Sequence, residues 1–74
     1  MITIGTKAIL LGNGDEVFTT EGRMRVSNIR MVQAEGIITY VATDVKTGVS
    51  SKRWASFESV FNIVTGKQIG RAHV

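Results

Sequence analysis

A chain of 74 residues makes one small domain, and a domain of that size buries only ~60% of its unfolded surface. The absence of Cys excludes disulfides and thiolate metal sites. Hydrophobic content of 43% with a net charge of +3 places the chain among globular proteins rather than disordered ones.

Charge sign is unevenly spread. The acids Asp15, Glu16, Glu21, Glu35 and Asp44 outnumber Lys7, Arg23, Arg25 and Arg30 in the first part, whereas Glu58 stands alone against Lys46, Lys52, Arg53, Lys67 and Arg71 in the second. A basic second part permits contact with nucleic acid or with an acidic protein surface and demands neither. The longest aliphatic run, Ala8 to Leu11, falls far short of the ~20 residues of a membrane span. The first residues lack the basic and apolar regions of a secretory signal, so the expected location is the cytoplasm and no membrane contact is expected.

In chain order, Thr6 to Leu11 reads as a first strand that Ile2 and Ile4 can extend. Asn13-Gly14 follows, a strong hairpin signal because a type I′ turn needs φ > 0 at both central positions. Glu16 to Thr20 is the expected return strand, with Asp15 and Glu16 on an exposed flank. Glu21-Gly22 makes the next tight turn. Met24 and Val26 then point to one side and Arg23, Arg25 and Ser27 to the other. Ile29 and Met31 have the opposite parity, which one inserted residue at Ser27-Asn28, a β-bulge, would produce.

Ile37 to Val45 is the richest β segment. Ile37, Thr39, Val41, Thr43 and Val45 share one face; Ile38, Tyr40, Ala42 and Asp44 share the other. Both faces carry apolar groups, as in a central strand, and parity leaves open which is inside. Lys46-Thr47-Gly48 reads as a type I turn with Gly in the left-handed position, and Val49 to Trp54 as the next strand. From Ser56 the rhythm changes: Phe57, Val60, Phe61 and Val64 recur at helical spacing. Ser56 can cap one short helical or 3-10 turn over Phe57–Val60, followed by a last strand from Phe61 to Val64. Residues 66–74 read as a loosely held tail, which leaves 1–65 as the single domain.

Strands joined by tight turns, one helical turn and a short closing strand resemble the order of an SH3-like barrel. In residue detail the resemblance is carried by Trp54-Ala55-Ser56-Phe57-Glu58-Ser59-Val60-Phe61-Asn62-Ile63: a bulky residue ends a strand, a turn follows, and aliphatic residues begin the next. It implies an all-β, five- to six-stranded antiparallel barrel. Ala55 or Ser56 stands where that family usually has Pro, and the acidic, aromatic-rich loop of peptide-binding SH3 domains is missing, so a Pro-rich ligand is not implied. In size and compact loops the chain also looks like small phage-encoded accessory proteins.

No catalytic set is legible. The only imidazole, His73, lies one residue from the C-terminus, and the acids other than Glu58 fall at expected turns, where solvated carboxylates belong. Gly12-Asn13-Gly14 has Val17 where a dinucleotide fingerprint needs its third Gly. Gly66-Lys67 lacks the Gly and the Ser or Thr of a phosphate loop. No enzyme activity, cofactor or metal is expected. What remains is a binding module, foremost an inhibitor or modulator of a host or partner protein. Its candidate contact residues are Arg23, Arg25, Arg30, Lys52, Arg53 and Trp54, because Arg and Trp are favoured interface anchors. For Trp54 the competing expectation is core packing, since a lone Trp is usually largely buried. The alternative is nucleic-acid binding, with Arg23, Arg25, Lys52 and Arg53 converging if their strands neighbour each other; exposed aromatics for base stacking are scarce. A homo-oligomer that covers the second apolar face of Ile37–Val45 is a third possibility.

Overall fold

The computed structural model describes residues 3–64, and the expected tail at 66–74 lies outside them. The fold is all-β: β1 (Thr3–Lys7), a 3-10 turn (Ala8–Leu10), β2 (Glu16–Thr19), β3 (Gly22–Val32), β4 (Ile37–Asp44), β5 (Ser50–Ser56) and β6 (Val60–Val64). The six strands form one sheet in the order β1-β6-β2-β3-β4-β5, and every pairing is antiparallel. The sheet therefore runs as a chain of hairpins from β2 to β5, with β6 returning to lie between β1 and β2. Among the described residues no ladder joins β1 to β5, so these two strands are its edges. No helix among them is long and apolar enough to cross a membrane.

The insertion of β6 corrects the expected Asn13-Gly14 hairpin. β1 and β2 each pair with β6 and not with each other. Residues 8–15 bridge the gap with two turns. Asp15 N–H donates to the Gly12 carbonyl at 3.1 Å, and the Asp15 carboxylate accepts from Gly12 N–H at 2.8 Å. Only Gly14, at φ 93°, is left-handed there, whereas type I′ needs both central residues so. Asn13 instead turns its side chain to β3, accepting from Ile29 N–H at 3.0 Å.

The 3-10 turn also sits elsewhere than the helical spacing suggested. It spans Ala8–Leu10, while Phe57-Glu58 form a tight turn closed by Ser59 N–H donating to the Ser56 carbonyl at 3.0 Å. Ser56 is the last residue of β5, not a helix cap, and Val60 opens β6 with its side chain exposed. The two turns hold each other: Ala8 N–H donates to the Ser59 carbonyl at 2.7 Å.

The bulge is where the parity break placed it. Ser27 lies opposite Val41 but Arg30 opposite Thr39, so three steps on β3 match two on β4. Asn28 absorbs the extra residue at φ 54°, the only left-handed non-glycine among the described residues; Asn tolerates this conformation better than most side chains do. The shift keeps apolar groups inward on both sides of the bulge. Met24 and Val26 are buried before it, and Ile29 packs against the core after it.

On β4 the face carrying Ile38, Tyr40 and Ala42 is inside. These residues close on Ala8, Leu11, Val17, Met24, Val26 and Ile63, with Ala55, Phe57 and Phe61 partly buried around them. The Tyr40 and Phe61 rings meet edge to face, 5.9 Å apart at 85°, a favoured aromatic geometry.

Candidate interaction face

In an antiparallel ladder, residues directly opposite each other share a face. The register thus sorts the outer face of β3, β4 and β5 into rows: Arg25–Thr43–Ser50, Ser27–Val41–Lys52, Arg30–Thr39–Trp54 and Val32–Ile37–Ser56. The β-branched residues of β4 run down the middle, half-buried between the flanking strands. Arg30, Thr39, Val41, Lys52 and Trp54, with Asn28, Tyr40 and Arg53, line a groove of about 460 Å³.

Trp54 is 67% exposed, which corrects the expectation of core packing. Its parity puts it beside Thr39 on the outer face. On the inner side of the same edge strand Ala55 packs against the core, which the Tyr40–Phe61 pair already fills.

The six candidate residues do not act as one cluster. The strands of Arg23 and Arg25 and of Lys52 and Arg53 do not neighbour each other, since β4 lies between them. Arg23 and Arg25 turn instead to Glu16, at 3.5 and 3.1 Å. Glu16 is buried, not on an exposed flank. A buried carboxylate has to be paired, and the β2–β3 register sets Arg25 directly opposite it. Arg53 lies opposite Tyr40, on the other face from Lys52 and Trp54, and is bound to Glu21 at 2.6 Å. Burial raises the Tyr40 pKa above its usual value of 10.0; the nearby Arg53 cation opposes the shift and Glu21 adds to it.

What remains on the outer face is Arg30, Lys52 and Trp54. Neither cation has a side-chain hydrogen bond or ion pair among the described residues. Arg30 shares a row with Trp54, and Lys52 precedes it by two on the same strand face. Over a floor of half-buried β-branched side chains, one exposed indole thus shares the outer face with two cations that have no partner among the described residues, Lys52 on its own strand and Arg30 across β4. The floor residues Thr39 and Val41 were not singled out as candidates; the β4 alternation carries the signal, once the inner face is known. A second hollow of about 470 Å³ is lined by Phe18, Arg23, Val45 and Lys46 among others.

Among the described residues no three His, Cys, Asp or Glu side chains gather as a metal ion requires. No protein-family model matches the chain, and no curated protein matches its sequence.

Proposed function

We propose that this chain is a non-enzymatic protein-binding module that uses the outer face of β3, β4 and β5. The observation that carries the reading is Trp54, two-thirds exposed in one groove with Arg30 and Lys52, which have no side-chain partner among the described residues. A large aromatic held on a rigid strand gives contact area at little entropic cost, and Trp and Arg dominate interface hot spots. Such cations favour a partner with acidic groups, since a charge already satisfied within its own chain, like Arg53 on Glu21, has less to gain. In an SH3-like setting, with the style of a small phage-encoded accessory protein, such a module acts by occupying a surface of a larger assembly and so inhibits or modulates it.

The other reading is nucleic-acid binding, with Trp54 as a stacking platform and Arg30 and Lys52 on phosphates. It ranks second because the next exposed aromatic, Phe18, lines the other hollow, so consecutive bases would find one platform only. Titration with single- and double-stranded DNA at two salt concentrations separates the two. Tight, steeply salt-dependent binding overturns the protein-binding reading. A host or partner protein retained by the wild-type chain and lost with both Trp54→Ala and Lys52→Glu is the result it expects.

A further inference from the structure

We infer that the open edge of β5 takes up an extended, acidic segment of a partner protein as an added antiparallel strand. This rests on the protein-binding reading and specifies how the partner is held.

The direction of each backbone group on β5 follows from the ladder. Asp44 N–H donates to the Val49 carbonyl at 2.9 Å, and at the other end Phe57 N–H donates to the Gly36 carbonyl at 2.9 Å. Both bonds fit the β4–β5 register. Hydrogen-bonded and non-hydrogen-bonded pairs alternate along an antiparallel ladder. Residues 51, 53 and 55 therefore exchange bonds with β4, while Val49 and Phe57 each make a single bond at the ends of the ladder. The N–H and C=O groups of Ser50, Lys52 and Trp54 point away from it, and no strand among the described residues receives them. Ser56 is partly used, its carbonyl taken by Ser59 N–H. A row of open donors and acceptors is a template for another strand.

Charge selects the occupant. β5 carries Lys52 and Arg53 and no acid, with Arg30 in the row of Trp54. In every register a second copy of β5 brings together two strands that carry Lys52 and Arg53 and no acid, and a two-fold pairing centred on Lys52 or on Arg53 sets the like side chains directly opposite each other. Like charges directly opposite destabilise a pair. An acidic strand has no such conflict. It places a carboxylate opposite Lys52, which has no partner among the described residues, and an apolar side chain opposite Trp54 at the groove.

The test uses the intact chain, whose only Trp is the reporter. The probes are acetylated, amidated heptapeptides built on Thr-Thr-Val-Thr-Glu-Thr-Thr, set so that Val faces Trp54 and Glu faces Lys52. Binding is read from Trp54 fluorescence. N-methylation of the peptide residue opposite Trp54 or Lys52 removes a donor aimed at β5 and weakens binding about tenfold or more. N-methylation opposite Arg53, where the N–H points to solvent, leaves affinity within a few-fold. Lys52→Glu weakens binding of the acidic peptide and restores it for a Lys-for-Glu peptide. A peptide that binds with equal tolerance of N-methyl groups at both sets of positions overturns strand addition and leaves the protein-binding reading standing. Binding of a single-stranded oligonucleotide in place of every peptide overturns both. Failure of all the peptides at millimolar concentration overturns strand addition.

Discussion

The Arg53 guanidinium donates to the Glu21 carboxylate at 2.6 Å, tying edge strand β5 to the turn between β2 and β3. The two are 32 positions apart in the chain, and the pair flanks the buried Tyr40 phenol with one charge of each sign. Both partners remain partly in water, so their direct coupling in a double-mutant cycle is expected at or below about 1 kcal/mol, and smaller in high salt.

Tyr40 reports the same pair more sensitively. It is the only Tyr, so its ionisation can be followed by ultraviolet absorbance without interference. Arg53→Met takes away the charge that lowers its pKa and should raise that pKa further, while Glu21→Gln should lower it.

Alkaline stability follows with its sign. Burial raises the folded pKa of Tyr40 above the usual 10.0, so the unfolded chain loses this proton first as pH rises. The contribution is intact below the unfolded pKa and is lost as pH climbs toward the folded one. Wild-type stability measured by denaturant should therefore fall above pH ~10, and Tyr40→Phe should remove that part of the slope.

Glu16 is buried between two arginines that are themselves half in water. Glu16→Ala leaves Arg23 and Arg25 able to rehydrate, so the loss is expected at about 1–3 kcal/mol, that of a hydrogen-bonded polar group rather than a buried isolated charge. Urea denaturation checks it. The triple change Glu16→Met, Arg23→Thr, Arg25→Thr should cost less than Glu16→Ala combined additively with the two arginine changes.

Asn28 and Trp54 should separate the bulge from the face. Asn28→Val forces a β-branched residue to φ 54° and should cost about 1–2 kcal/mol, whereas Asn28→Gly should be near neutral. Trp54→Ala, on an exposed outer position, should change stability by under about 1 kcal/mol. Ile38→Ala, in the fully buried core, should cost about 2–5 kcal/mol. Wild-type Trp fluorescence should be readily quenched by acrylamide.

The amino-acid order alone determined the local events. Alternation marked β3 and β4, and the turn at Lys46-Thr47-Gly48 set off β5. Gly22 and Gly48 marked turns, and both are left-handed. The parity break between Val26 and Ile29 marked the bulge. Each of these depends on a few neighbouring residues and their φ preferences. The tertiary structure decided what depends on distant partners. β6 enters between β1 and β2, which undoes the Asn13-Gly14 hairpin although that dipeptide favours one. The even-numbered face of β4 is inside because Val17, Val26 and Ile63 close on it from three other strands. Trp54 stands in water because the β4–β5 register sets it opposite Thr39 on the outer face and turns Ala55, opposite the buried Ile38, to the core. Of the six candidate contact residues, Arg30, Lys52 and Trp54 share the open face, while Arg23, Arg25 and Arg53 are held by Glu16 and Glu21. Which charges find partners within the fold is a matter of strand order, and strand order is set by long-range burial that no short stretch of sequence contains.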